Sequence, residues 1–389
     1  MSAPRKIVYV ASLELRETGA GSTHVVGLAE ALHRRGRLGA LVFPAGGWTP
    51  WDALPADVLE PVPVPVPTRA RYVAFEALAA TRVPRWRRRF GRCALLVRPG
   101  FLSAPLVVAA RLAGVPAAVE INGPRDLDMA GSPLCRPVLG NEHLTLRLAE
   151  VCLPVTRGLE RHYARRWPWL AGKTAVVPNG CHAADVDRPD DPQDRASARA
   201  ELGLEPGDFA VIFTGSFAPW HRVVELALAV ERAKHPAVRA VLVGGGEKEP
   251  AVRRIADRCA RVRAIPWVPR RRAMRYVRAA DLGYAMMDVD GDAPRGSPLK
   301  IFEYFAAGKT VLANPVDGVA DLDGVAEHLV LCREATPAAI AAALDRAAAD
   351  PGALARKGAA LRALCAERYT WDRAAERIAS LLDQEGARR

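Results

Sequence analysis

Gly296-Ser-Pro-Leu-Lys-Ile-Phe-Glu-Tyr-Phe-Ala-Ala-Gly-Lys-Thr-Val-Leu-Ala-Asn314 reads as loop, helix, glycine stop and buried strand. Ser297 is a suitable N-cap and Pro298 suits the first helical position. The free backbone N–H groups of Leu299 and Lys300 then point out of the helix start, where they can meet an anion. Lys300 and Glu303 are three apart and share a face. That face offers a cation for phosphate and a carboxylate for hydroxyl groups. Leu299, Phe302 and Ala306 form a stripe that can lie on a sheet. Gly308 ends the helix in the left-handed region. An ordinary capped helix–strand unit would look the same, so spacing alone leaves both readings open.

Outward from this stretch, the chain alternates strand and helix. Strands are expected at Ile7–Ser12, Gly39–Pro44, Cys93–Val97, Pro116–Ile121 and Val151–Val155, with helices such as His24–Arg34 and Ala104–Ala113 between them. Such β-α-β steps imply parallel pairing and a doubly wound sheet. Pro61–Pro67 alternates proline and valine, which restricts it to an edge or loop. Val176–Gly180 reads as a short strand and turn, and residues 181–207 as a linker with one short helix. The rhythm restarts at Phe209–Thr214 and continues through Arg239–Val243, Val262–Ile265 and Leu282–Met286. Helices close the chain at Pro337–Ala348, Gly352–Glu367 and Arg373–Asp383.

The chain has 389 residues, which suits two domains. Half of it is hydrophobic and a quarter charged, a globular balance. No apolar run reaches bilayer length. Met1–Ser12 lacks a signal-peptide pattern, and the seven cysteines are scattered, which fits reduced thiols in a cytoplasm. The net charge of +12 comes mostly from arginine. It fits a coding bias as well as an anionic partner, so clusters carry more meaning than the total. Arg82–Arg92 is one cluster, with Trp86 and Phe90. It reads as a solvated helix face with tucked aromatics, or as a weak peripheral membrane contact. Pro84 is expected to interrupt any long amphipathic helix there.

Ligands of open α/β sheets sit beyond the C-terminal ends of strands. That makes Glu120 and Asn122 candidates, with Asp126 following. Gly19-x-Gly21 lacks the third glycine of a dinucleotide fingerprint and has no Gly-Lys-Ser/Thr. It is a flexible connection or a close backbone approach to a ligand. Thr214-Gly-Ser-Phe-Ala-Pro-Trp-His-Arg222 lies between strand and helix, where His221 and Arg222 can meet a diphosphate. Asp288, Asp290 and Asp292 resemble paired metal-binding aspartates, but the surrounding pattern does not call for a metal. No Ser/His/Asp order, zinc spacing or RNA-binding signature appears.

Together these segments resemble the retaining family 4 glycosyltransferases. Gly296–Asn314 resembles their Ser-Pro-Leu-Lys-x-Phe-Glu-Tyr-x-Ala-Ala-Gly block. Val177-Pro-Asn-Gly180 resembles the interdomain signature, and Thr214–Arg222 a Gly-Ser-Phe-x-Pro-Trp-His variant of the donor loop. Glu120-Ile-Asn-Gly-Pro124 resembles a Glu-Val-Asn segment, and Trp267-Val-Pro269 and Ala279-Ala-Asp281 fall in family order. The resemblance implies a GT-B fold, α/β, with two Rossmann-like doubly wound parallel-sheet domains facing a cleft. Residues 1–180 would bind the acceptor and 181–371 the nucleotide sugar, with a helix over 372–389 crossing back.

Carried over by position, the donor would be held by Gly215, Ser216, His221, Arg222, Val268, Ser297, Pro298, Leu299, Lys300 and Glu303. Val268 would present backbone to the base, Glu303 would bond the ribose, and Lys300 the diphosphate. His221, Arg222 and Lys300 would carry the catalysis by stabilising the leaving group. Gly19, Gly21, Glu120, Asn122 and Asp126 would line the acceptor side. Four positions depart from the family pattern: Arg295 where a glutamate is usual, Ser216 and His221 where Arg and Lys are usual, and Asn122 where His is frequent. A protonated His221 would make activity fall as pH rises through its pKa.

The expected function is retaining transfer from a nucleotide-diphosphate sugar, UDP favoured, in a cytoplasmic enzyme with no metal or other cofactor and no nucleic-acid partner. The acceptor would be a small molecule. The carboxylates Glu120, Asp126, Asp128 and Glu142 suit an amino sugar or aminocyclitol, or are ordinary surface charge. A nucleotide-sugar epimerase and a non-catalytic GT-B binding protein are the alternatives. Donor sugar, pathway and oligomeric state are not assigned.

Overall fold

The computed structural model describes residues 4–17, 19–47, 49–50, 52–66, 70–288, 296–316, 318–319 and 321–385. Asp290, Asp292 and Arg295 lie outside these residues. The first half contains β1 (Lys6–Ala11), α1 (Ala20–Arg34), β2 (Leu38–Pro44), β3 (Leu59–Val62), α2 (Ala70–Phe90), β4 (Cys93–Arg98), α3 (Ala104–Leu112), β5 (Ala117–Ile121), α4 (Arg125–Asp128), α5 (Cys135–Leu148), β6 (Val151–Pro154) and α6 (Arg157–Arg166). The second contains α7 (Ala183–Asp187), α8 (Pro192–Glu201), β7 (Phe209–Ser216), α9 (Val223–Arg232), β8 (Val238–Gly245), α10 (Glu249–Arg258), β9 (Val262–Ile265), α11 (Arg270–Ala279), β10 (Leu282–Tyr284), α12 (Leu299–Ala306), β11 (Val311–Ala313), β12 (Val330–Leu331), α13 (Pro337–Ala349), α14 (Pro351–Arg368) and α15 (Trp371–Glu385).

Each half is a six-stranded parallel sheet, ordered β3-β2-β1-β4-β5-β6 and β12-β11-β10-β7-β8-β9. The two orders are the same topology. Each has its switch point where the order reverses, between β1 and β4 and between β7 and β10, and such points are where open α/β sheets bind ligands. Helices cover both faces. Central strands are therefore uninterrupted apolar runs, as in β2, where all of Leu38–Pro44 is buried.

The halves are joined twice. Cys181 N–H donates to Tyr369 O (2.9 Å) and Trp371 N–H to Cys181 O (2.9 Å), so the two crossing segments pair. α15 then lies along α1. Trp371 is buried, and its ring fills the space beside Gly27, where a Cβ would come 2.4 Å from Nε1. Arg34–Asp372 (2.8 Å) and Arg37–Asp383 (3.0 Å) fasten the outer edge. Among the described residues no helix is long and apolar enough to cross a membrane.

Four local expectations change. α2 runs through Pro84 without a break. The proline is exposed, so the carbonyl it leaves unpaired faces water, while Phe75, Ala79, Val83 and Trp86 anchor the inner face. Trp86 is buried and donates to Glu60 (3.0 Å), so it does not reach outward. Val176–Gly180 is not a strand, although Val177 N–H donates to Pro154 O (3.0 Å) beside β6. The expected linker folds into α7 and α8, and Asp191 caps α8 by accepting from Gln193 and Asp194 N–H. Finally, the N-cap of α12 is Pro298 rather than Ser297. Gly308 does follow the helix with φ +67°.

Candidate functional site

The donor-side candidates gather at the end of β7. Gly215 has φ +131°. A Cβ there would lie 3.5 Å from Lys300 Nζ, an ordinary contact, so the positive φ is what favours glycine while the ammonium sits directly beside the strand end. Lys300 enters from the first turn of α12 and sits 3.9 Å from the Phe213 ring centroid. Tyr304, one turn on, accepts from Thr214 N–H (3.0 Å) and ties α12 to β7. Lys300 is buried, and burial pulls its pKa down to about 7, against the favourable charge of Glu303. A buried ammonium beside open backbone is poised to gain from an arriving anion.

His221 is not the expected cation. Burial first, and then the charge of Lys300, depress it to about 3. Nδ1 lies 2.7 Å from Ser216 O. A carbonyl only accepts, so the neutral ring carries its proton on Nδ1 and presents a lone pair at Nε2. Arg222 also differs from expectation. It stands in the left-handed region (φ 48°) at the start of α9, its guanidinium donates to Glu225 (2.9 Å) and Asp288, and its carbonyl accepts from Tyr284 (2.9 Å). Its charge is neutralised by these two carboxylates, although its buried Nε has no hydrogen-bond partner, so it shapes the loop rather than offering a bare clamp.

Glu303 accepts from Arg270 (3.0 Å), which also pairs with Asp185. Val268 is partly buried in the loop after β9, next to Trp267, whose Nε1 would lie 3.2 Å from a Cβ on Gly245. Leu299 opens α12. Ser297 Oγ is buried with no hydrogen-bond partner, and Ser297 O accepts from Asn179 Nδ2 (3.2 Å). Gly296 approaches the first half so closely that a Cβ would come 2.7 Å from Asn122 O. The start of α12 thus touches both halves.

On the facing side Gly19 caps α1 with φ +130°, and Gly21 follows against Leu13. Behind them is a buried chain of contacts. Asn179 Oδ1 is 2.8 Å from His24 Nδ1, and His24 Nε2 is 2.9 Å from Glu120. Glu120 also accepts from Tyr9 (3.1 Å) and lies 3.7 Å from Arg98. Burial alone would raise its pKa, but His24, Arg98 and Tyr9 outweigh that and lower it. Asn122 Nδ2 is 3.5 Å from the same carboxylate. Asp126 stands apart, between His162 (2.9 Å) and Arg166 (3.2 Å). Glu142 is paired with Arg125 (3.2 Å) and accepts from Tyr163 (2.9 Å). The carboxylates expected to attract a cationic acceptor are therefore largely occupied.

Sequence reasoning missed His24, Tyr9, Arg98 and Glu76. Glu76 is buried and accepts from Ser12 Oγ (2.9 Å), Gly100 N–H (2.9 Å) and Leu102 N–H (2.6 Å), holding the loops after β1 and β4. A usable signal existed for two of them: a polar residue on the apolar face of its helix, His24 beside Val25 and Leu28, Glu76 beside Phe75 and Ala79. Among the described residues no three His, Cys, Asp or Glu side chains group as metal ligands.

Residues 208–350 match the family described as glycosyl transferases group 1. Two curated proteins named D-inositol 3-phosphate glycosyltransferase are similar. That of Nocardia farcinica is 34% identical over 233 residues, covering 55% of this chain and 49% of that one. That of Streptomyces avermitilis is 34% identical over 239 residues, covering 57% and 48%. The chain spans about half the length of these relatives. Among solved structures, Anabaena HepE in complex with UDP superposes with a TM-score of 0.75 at 17% identity, over 97% of this chain and 100% of that one. Sucrose-phosphate synthase of Thermosynechococcus elongatus gives 0.77 at 18% identity, over 99% and 100%. The fold of the whole chain is GT-B.

Proposed function

We propose that the chain is a retaining glycosyltransferase that moves a sugar from a UDP-sugar to an acceptor hydroxyl, without a metal. The observation that carries this is the buried Lys300 ammonium under Gly215, at the switch point of a half that matches a glycosyltransferase family. The neighbours solved with UDP support the choice of nucleotide. Residues 1–180 would take the acceptor, 181–371 the donor, and the helix after 371 would cross back.

In the reaction the acceptor oxygen bonds to the anomeric carbon as the bond to the diphosphate oxygen breaks. The acceptor proton passes to the departing diphosphate on the same face, which gives retention. Charge develops on that leaving group, so Lys300 and the N–H groups at the start of α12 lower the barrier. His221, neutral, orients the loop through Ser216 and offers a hydrogen-bond acceptor at Nε2 instead of charge. Glu303, oriented by Arg270, would bond the ribose, and Val268 would meet the base.

For the acceptor, the arginine-paired carboxylates argue against an amino sugar. The names of the two relatives favour a phosphorylated cyclitol or similar polyol. Turnover of labelled UDP-sugars with and without such acceptors tests the reading. We expect transfer that is lost in Lys300→Met and kept in Lys234→Met, a change at an exposed lysine. Equal turnover in both variants would contradict it.

A further inference from the structure

A second cavity, of about 630 Å³, opens on the opposite end of the C-terminal sheet. It lies where β7 begins, at Phe209, and where α12 has ended, at Lys309. β7 has eight residues, so at ~3.3 Å per residue its two ends are about 23 Å apart. The cavity is therefore separate from the proposed donor site. Its size is that of a small-molecule site, on the order of 300–1,000 Å³.

One wall is α14, whose alanines at 355, 359, 363 and 366 follow helical spacing and stay exposed. The five rim arginines are each ion-paired: Arg188 and Arg275 with Asp194, Arg275 also with Glu201, Arg195 with Asp281, Arg278 with Asp185 and Arg362 with Asp190. The aspartates nearest the lysine are engaged elsewhere. Asp281 pairs with Arg195 (2.6 Å) and Arg199 (3.3 Å), and Asp190 with Arg362 (3.4 Å). Among the described residues no carboxylate reaches ion-pair distance of Lys309 Nζ. Burial, and then the charge of Arg195, lower the lysine pKa to about 8 against the opposing charges of Asp281 and Asp190.

We propose that this cavity binds a small-molecule phosphate monoester, with its phosphate at Lys309 and its carbon skeleton on the alanine face of α14. A phosphate monoester carries about two negative charges near neutral pH, and Lys309 is the rim cation left to meet them.

Pyridoxal 5′-phosphate is a fitting probe, because its aldehyde condenses with an amine to an imine plus water and borohydride then fixes the imine as a secondary amine. The folded full chain is treated with the probe while UDP is present to shield Lys300, then reduced and mapped by peptide mass. Lys309 is expected to react at least tenfold faster than the exposed Lys234, and tenfold faster than with pyridoxal, which lacks the phosphate. Glucose 6-phosphate, but not glucose, should suppress the labelling. Ala359→Phe, which fills the cavity, should abolish the phosphate preference with Lys309 still present. Labelling of Lys309 at the rate of Lys234, an equal rate with pyridoxal, or no protection by glucose 6-phosphate would each overturn the proposal. The result is independent of donor binding, since a failure of UDP to shield would show as labelling at Lys300.

Discussion

Lys300 makes donor binding a proton-linked event. In the free chain its pKa is about 7. A diphosphate brought against the ammonium restores the charged form, so the bound pKa lies well above the free one. The complex then holds more protons than the free chain at alkaline pH, and binding takes up a proton. The sign follows: below about pH 7 the lysine is charged in both states and affinity is flat, whereas above it affinity falls with rising pH. Because the lysine is half charged at pH 7, UDP-glucose should bind about 50-fold more weakly at pH 9 than at pH 7, roughly 2.3 kcal/mol. Calorimetry in two buffers of different ionisation enthalpy, near pH 8, should show about 0.9 proton taken up per nucleotide sugar. His221, at about 3, does not titrate in this window. Lys300→Arg, charged throughout, should bind with no proton uptake. A proton uptake near zero in the unmodified chain, or the same slope in Lys300→Met, would refute the reasoning.

Three other outcomes follow from the same geometry. The free chain should gain stability as pH rises from about 7 toward 10, because the unfolded state then binds more protons than the folded one; Lys300→Met should raise stability by about 2–4 kcal/mol at neutral pH, read by urea unfolding, and an unchanged midpoint would contradict the buried charge. Activity should decline above neutral pH in His221→Gln as in the unmodified chain and lose that decline in Lys300→Arg; a decline that vanishes with His221 would restore the imidazolium. Gly27→Ala places a methyl 2.4 Å from Trp371 Nε1, which should cost about 1–3 kcal/mol by overpacking and lower the calorimetric Tm; an unaltered Tm would mean α15 is not fixed on α1 there.

The doubly wound architecture was legible because parallel strands buried on both faces leave unbroken apolar runs such as Leu38–Pro44, punctuated by helical periodicity. The stretch from Gly296 to Asn314 was legible for the same reason, apart from one residue in its cap. Composition misled where local chemistry decides: residues 181–207 look like a linker with one short helix, yet they hold two, the second opened by Asp191-Pro192. Pro84 looked like a break, but a proline on the solvent side of an anchored helix costs little enough to be carried. Pairings over long sequence distances were not legible at all. Nothing local reveals that Arg98, Arg125 and Arg166 neutralise Glu120, Glu142 and Asp126, or that Asp288 takes the charge of Arg222. The state of His221 depends on burial beside Lys300, a neighbour 79 positions away, and only the fold brings the two together.

The most direct test is a crystal structure of the chain with UDP. The account predicts diphosphate oxygens within about 3 Å of Lys300 Nζ, beside Gly215 and the first N–H groups of α12, with His221 still donating from Nδ1 to Ser216 O. A nucleotide bound away from the end of β7, or a diphosphate held by Arg222 with Lys300 left against Phe213, would contradict it.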